Sequence, residues 1–590
     1  MKPLHILNLI VLTGCEHAHH LRKAGPVTTL RAEDPPSVFK SYQSPLDLSI
    51  LPLDLPKRGT VCRVRLMEYA FGNSYDAPYV GNYTPPTKCL GKSLISRAVI
   101  KYHAHVKGRQ FDRFGAVFID KSEILRTTTA EPTALGIEWK FEVDITNYAS
   151  LFYIPRKVTH ILGNLVNDVY TGVINVDITL DLYPGEATGH QVIPLSKPDT
   201  TEPWFKINNS TTLAVQIGSL PSNIYRAELE VFLSGHDCDE FYYLNPPDSY
   251  AAPRKQCRNG PYREIQVSLG GLLLGGIWPF PTIYTGGVTL SLWRPLSGLG
   301  SFVVPTATLD LAPVITLLNL NLHTPFRFQI INATDLWLLS ANLHIWTKSR
   351  QPKMQLVSPY EVKINESSVV PVSTSSDDGF FETHVTKSYS LTSVSSWRAS
   401  PEIREFVMSR VVQTTDFYQS LNLTQKAQSS TFNVTRLTTT TVSTSSWIEH
   451  HNSRQKIFNR PQSPKPVIRV SSYSLTGTLF SKDLGKLPGY NFKTNLSLET
   501  YEASKGVIGG LLPQGETITH IKLQADGFAI SGTPNVTSVA DCRSKASVRY
   551  THSTSDSPNR HKCYVRNVKA DHGYITYDQP TYDCPKPHKP

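Results

Sequence analysis

Alternation of apolar and polar side chains, not helical spacing, runs through most of this chain. In Val173-Ile174-Asn175-Val176-Asp177-Ile178-Thr179-Leu180-Asp181-Leu182-Tyr183 the character changes at nearly every step. Successive side chains of a strand point to opposite faces, so such a segment reads as a strand with one face buried and one wet. Ala227-Glu228-Leu229-Glu230-Val231-Phe232-Leu233 repeats the pattern. Long stretches with apolar residues three and four apart are hard to find, and Gly and Pro break the chain into short runs. The expectation is an all-β chain.

At 590 residues the chain outgrows a single hydrophobic core, so several domains are expected. Evenly spaced short strands over 51–188 and again over 189–350 suggest two adjacent jelly-roll sandwiches. Beyond 350, Ser and Thr crowd residues 367–446, including Thr438-Thr439-Thr440-Thr441-Val442-Ser443-Thr444-Ser445-Ser446. That composition fits a glycosylated stalk, or a further β-rich domain over 351–590 whose exposed strand positions carry hydroxyls. The interleaved Phe, Tyr and Val favour the domain.

A net charge of +11 invites a nucleic-acid reading, but Lys and Arg are scattered and form no stripe beside aromatic platforms, so that class is set aside. Residues 1–18, with the apolar run Leu4-His5-Ile6-Leu7-Asn8-Leu9-Ile10-Val11-Leu12, read as a signal peptide, and 19–50 as a lead-in. No other apolar run is long enough to cross a bilayer. Nine Asn-x-Ser/Thr acceptor sites, at Asn82, Asn208, Asn209, Asn332, Asn365, Asn422, Asn433, Asn495 and Asn535, add to a secreted, extracellular reading. With Cys15 lost in the leader, spacing suggests the disulfides Cys62 to Cys89, Cys238 to Cys257 and Cys542 to Cys563, leaving Cys584 over. No CxxC pair occurs and the histidines do not cluster at ligand spacing, so no metal site is expected.

Two carboxylates stand out. Asp112, in Gly108-Arg109-Gln110-Phe111-Asp112-Arg113-Phe114-Gly115, precedes an apolar strand and sits between arginines that would keep it ionised. Glu240, in Ser234-Gly235-His236-Asp237-Cys238-Asp239-Glu240, lies in a polar loop at a strand end, where functional residues collect. Ion-pair and solvated-loop roles remain open for both on spacing alone.

The runs Arg109-Gln110-Phe111-Asp112-Arg113, Arg126-Thr127-Thr128-Thr129-Ala130-Glu131-Pro132 and Gly136-Ile137-Glu138-Trp139 resemble the peptide N-glycosidase A family in order and spacing. So do Ser234-Gly235-His236, Trp278-Pro279-Phe280-Pro281, Thr285-Gly286-Gly287 and Cys563-Tyr564-Val565-Arg566. The resemblance implies a hydrolase of carbon-nitrogen bonds that turns glycosylated asparagine into aspartate and releases a glycosylamine, with no cofactor. Its partners would be N-glycosylated peptides or proteins, and no obligate protein partner is implied. It further implies two jelly rolls flanking a cleft, as in the bacterial relative peptide N-glycosidase F. Asp112 and Glu240 would then be catalytic, with Arg113, His236, Asp239, Arg263, Trp278 and Glu131 binding substrate. The third carboxylate of the bacterial site has no clear match; Asn167 or Asp168 stands near its place, with Glu131 as rival. Leu269-Gly270-Gly271 departs from the family, which more often has an acidic residue before that glycine. Two rival readings are a glycoside hydrolase using the same carboxylate pair and a non-catalytic glycan-binding β protein.

Overall fold

The computed structural model describes residues 44–582 apart from 54, 56–59, 133–135, 186–189, 198–200, 289–292, 294, 322, 349–354, 359, 370–371, 375–377, 401–402, 425–428, 453–454, 459–465, 484–488, 506–514, 531–536, 554–560 and 572–573. Antiparallel strands dominate, as the alternation requires. Eight of them make a first unit: β1 (Cys62–Phe71), β2 (Tyr79–Tyr83), β3 (Leu94–Lys107), β4 (Phe114–Ile119), β5 (Ser122–Thr128), β6 (Ile137–Asp144), β7 (Arg156–Leu162) and β8 (Val173–Gly185). They form two four-stranded sheets, ordered β1-β8-β3-β6 and β2-β7-β4-β5. The first and last strands are neighbours, from Cys62 opposite Leu182 to Phe71 opposite Ile174.

Leu66, Ile100, Ile178 and Leu180 of one sheet meet Val117, Ile119, Leu125 and Val158 of the other in a single buried cluster. Each such side chain contributes about 1.5–3 kcal/mol by leaving water. β8 alternates along its length, whereas β5 is buried at every position and β4 at all but its first. A strand covered on both faces has no wet positions to alternate with, which is why Ala116-Val117-Phe118-Ile119 is unbroken apolar sequence.

What covers it is a second unit: β9 (His190–Leu195), β10 (Phe205–Ile207), β11 (Thr212–Val215), β12 (Ile224–Gly235), β13 (Glu264–Leu269), β14 (Leu272–Ile277), β15 (Ala307–Asp310), β16 (Phe326–Ile331) and β17 (Trp337–Thr347). One of its sheets runs β10-β17-β12-β15 with β9 also on β17, the other β11-β16-β13-β14. Ala116, Phe118 and Ile161 of the first unit pack on Trp204 and Leu338 of the second. Buried polar groups stitch the same seam. Arg126 binds the Glu123 carboxylate through Nε at 2.7 Å and Nη2 at 2.8 Å, and reaches the Leu338 carbonyl at 2.8 Å. Part of the expected lead-in belongs here too: Leu46 bridges Leu296, and Leu48 is buried in the second unit's core.

Beyond residue 354 the chain forms one further antiparallel sheet of 13 strands. The Thr438–Ser446 run lies inside the 24-residue strand Ser429–Asn452 of this sheet. Phe381, Val385, Tyr389, Phe417 and Phe432 on its inner face share one core with Ile265, Phe328 and Leu339 of the second unit.

Disulfides join Cys62 to Cys89 and Cys238 to Cys257. The side chains expected to make a Cys542 to Cys563 bond lie outside the described residues, as do Cys584, Asn535 and the 1–18 leader. Strand register sets Cys563 opposite Thr551, far along the partner strand from Cys542, which does not suit that third pairing. Among the described residues no helix is long and apolar enough to cross a membrane.

Candidate active site

Asp112 stands at the entry to β4, and Glu240 in the turn that follows β12. Phe114, two residues after Asp112, packs edge-on to His236 just past the end of β12, and the Asp112 charge acts on Glu240, so the two carboxyl groups lie near one another. The Asp112 side chain is gripped from the second unit: the backbone N–H of Gly286 donates to its Oδ2 at 2.9 Å. Gly286 also touches Glu131. A Cβ on it would press into the Glu131 carboxylate and stand 2.8 Å from Asp112 Oδ1, so the two carboxylates of the first unit flank this glycine.

Burial raises both Asp112 and Glu240, but the groups around them differ. Burial pushes Asp112 above the usual carboxylate range, with the Gly286 amide and the Arg113 charge pulling it back. Desolvation, not the neighbouring Arg113 charge, sets the direction of this shift. Arg113 is turned towards other acceptors, with Nη1 on the Tyr75 hydroxyl at 3.1 Å, Nε on Asn164 at 3.3 Å and Nη2 on Gln110. Glu240 is pushed up to about 8 by burial of its carboxyl and then by the charges of Asp112 and Asp237. Two carboxyl groups in unlike surroundings can divide the labour of acid and base. Asp112 accepts a backbone N–H, which favours its ionised form, and can take a proton; Glu240 stays protonated at neutral pH and can donate one.

Other expected site residues fall into two sets. Asp239 and Arg263 are fully buried and paired at 2.7 Å. Arg263 spends its remaining donors on the carbonyls of Arg258, Asn259, Gly260 and Tyr262 and on Thr334. Asp239 Oδ2 takes the N–H groups of Thr334 and Asp335 and the Trp337 indole at 2.7–3.0 Å. The donors of Arg263 and both oxygens of Asp239 are thus spent inside the protein, so the role their geometry gives is to hold the Glu240 turn rather than to bind sugar. Trp278 is likewise buried, donating to the Tyr262 hydroxyl at 2.8 Å at the junction with the long sheet. His236 packs its ring edge-on to Phe114 and shares a 2.9 Å hydrogen bond with Ser234, while burial and Arg126 press it down to about 3, so it is neutral.

Asn167 and Asp168 are exposed, and Asn167 closes its own turn by accepting from Val169 and Tyr170. Neither joins the carboxylates; Glu131 does. Sequence reasoning missed Tyr284, whose hydroxyl is raised by burial first and then by the charge of Glu240, with Arg126 opposing and Asp112 adding to the rise. It also gave no role to Thr285 and Gly286. An uncharged loop carries no chemical signal, although Thr285-Gly286-Gly287 stood among the family-like motifs.

The model of the family described as "Peptide N-acetyl-beta-D-glucosaminyl asparaginase amidase A" matches residues 52–362. That is over half of the chain. The chain belongs to this family. Within the amidase A family it is 35% identical over 390 residues to "Peptide-N4-(N-acetyl-beta-glucosaminyl)asparagine amidase A" of Prunus dulcis. That alignment takes in 61% of this chain and 66% of the relative's length. A solved structure titled "Recombinant peptide: N-glycanase F (PNGase F)" aligns with 49% of this chain and 96% of its own, at 15% identity and a TM-score of 0.34. A second solved amidase structure, titled "PEPTIDE-N(4)-(N-ACETYL-BETA-D-GLUCOSAMINYL) ASPARAGINE AMIDASE", aligns over 49% and 97% with the same score and identity. The family model thus takes in Asp112, Glu131, Glu240 and Gly286 together and ends just inside the long sheet.

Proposed function

We propose that this chain hydrolyses the amide between an N-linked glycan and its asparagine, giving aspartate and a glycosylamine, with glycopeptides or glycoproteins as substrates. The observation that carries the reading is the pair Asp112 and Glu240, brought from two units near enough for the charge of one to act on the other, with a backbone N–H from Gly286 on Asp112. Amide hydrolysis needs a base for water and an acid for the departing nitrogen. Asp112, its ionised form favoured by the Gly286 N–H, takes the proton of the attacking water or attacks directly; Glu240, protonated at neutral pH, polarises the linkage and supplies the proton to the leaving nitrogen. Glu131, across Gly286 from Asp112, is the third carboxylate of the site, placed to orient water.

Secretion is part of the same proposal. Two disulfides require an oxidising compartment, and Asn82, Asn208, Asn209, Asn332, Asn365, Asn422 and Asn495 are all exposed on the described surface, where acceptor asparagines must be.

The test is incubation of the purified chain with a denatured glycopeptide, followed by mass spectrometry of both products. An aspartate in place of the glycosylated asparagine is the expected result. Asparagine still carrying one sugar would instead identify a glycoside hydrolase, and retained glycopeptide with no product a binding protein.

A further inference from the structure

The loop after β14 reaches across the seam and is bonded into the first unit at the point where Asp112 sits. Thr285 is buried. Its hydroxyl donates to the Thr129 carbonyl at 2.9 Å and accepts from the Glu131 amide at 2.9 Å. Thr129 in turn grips the residue after Asp112 on both sides: its N–H donates to the Arg113 carbonyl at 2.8 Å, and its hydroxyl accepts the Arg113 amide at 2.8 Å. One step beyond Thr285, Gly286 donates to Asp112 and leaves no room for a side chain between Asp112 and Glu131. The other end of the loop is held by the Trp293 indole on the Gly287 carbonyl at 2.7 Å. A backbone donor that bonds the ionised form of a carboxylate favours that form, and a spacer one hydrogen wide fixes how closely two carboxylates approach.

We propose that Thr285 and Gly286 are positioning residues of the reaction. Thr285 registers the loop on the Thr129–Glu131 segment, and Gly286 delivers its N–H to Asp112 while spacing Asp112 from Glu131. This rests on the amidase reading above. Neither residue touches protons in the reaction; they set the geometry and the ionisation of the group that does.

Three variants separate positioning from mere support of the fold. Thr285→Val keeps the shape and removes both hydroxyl bonds, Thr285→Ser restores them, and Gly286→Ala fills the space between the carboxylates. Small displacements of a catalytic group cost up to about 100-fold, so Thr285→Val and Gly286→Ala should lower kcat by about 10- to 100-fold. KM should change little, and Thr285→Ser should stay close to wild type. Weakening the Gly286 N–H contact favours protonated Asp112, so the acidic limb of the kcat profile should move to higher pH in Thr285→Val, which lost packing alone would not produce.

A second readout needs no turnover: carbodiimide labelling of Asp112 against pH, read by peptide mass spectrometry. Protonated Asp112 should persist to higher pH in Thr285→Val and in Gly286→Ala than in the wild type. If the wild-type chain releases glycan, and folded Thr285→Val matches it in kcat, pH profile and labelling, the positioning role is overturned. If the wild type releases nothing yet the labelling shift appears, the contact to Asp112 stands while the amidase reading falls. If neither turnover nor shift appears, both fall.

Discussion

Asp239 Oδ1 receives Nε and Nη2 of Arg263 at 3.1 and 2.7 Å, one residue before Glu240 in the chain. The disulfide from Cys238 to Cys257 closes the same turn. Glu240 is therefore held from below by an ion pair and from the side by a covalent bond. A carboxyl group that must meet a partner from another unit gains from such a rigid base.

Arg263→Lys should be a stability variant. A lysine cannot reproduce the fork that reaches Asp239, four carbonyls and Thr334 together. Opening a buried pair costs about 3–5 kcal/mol, so thermal unfolding should begin many degrees earlier, with activity falling in parallel. A normal melting curve combined with a raised KM would return Arg263 to sugar binding.

The pH response of Glu240 has a definite sign. Its folded value stands at about 8, above the ordinary 4.5. The folded chain therefore binds this proton more tightly than the unfolded chain. That contribution to stability is fully present below the ordinary value and is lost as the pH rises through about 8. Glu240→Gln removes the titration, so its melting temperature should gain on the wild type as pH climbs over this window. Turnover that needs protonated Glu240 should decline on the same alkaline side, and calorimetry beside a pH-rate profile checks both.

Asp112→Asn removes the charge while keeping the size, and a general base contributes about 10²- to 10⁴-fold. Glycopeptide turnover should fall by at least the lower figure, with the fold intact. Glu240→Gln can still donate a hydrogen bond but not a proton, so its loss should be real yet smaller. Asp112→Asn turning over at the wild-type rate would move the base to Glu131.

A different link joins the two units away from the site. The Tyr148 hydroxyl of the first unit donates to Glu230 of the second, which also bonds His344 at 3.0 Å and Thr306 at 2.9 Å. Hydrogen bonds to charged groups contribute about 1.5–3 kcal/mol. Tyr148→Phe should lower the urea midpoint accordingly and leave the active-site pH profile unchanged.

Alternation in Val173–Tyr183 and Ala227–Leu233 was enough to read the all-β class, because half-buried strands write their two faces into the sequence. Ala116–Ile119 could be read as a strand but not as one covered on both faces, since the covering residues Trp204 and Leu338 lie far off in sequence. That Asp112 and Glu240 would come together was legible through their motifs. The buried pairing of Asp239 with Arg263 was not, because a charged residue looks the same in sequence whether it faces solvent or the core. Thr285 and Gly286 act through a hydroxyl and a backbone amide, which composition and charge do not reveal.

The family match ends at residue 362, but the core does not. Glu264 of β13 takes Lys387 at 2.9 Å and the Tyr389 hydroxyl from the long sheet, and Gln419 of that sheet donates at 2.9 Å to the Tyr243 carbonyl, three residues after Glu240. A shortened recombinant chain stopping at the family boundary would bare the apolar side of the second unit and take the backing away from the Glu240 turn. Such a fragment should aggregate on expression, and the smallest piece worth crystallising extends well into the hydroxyl-rich strands.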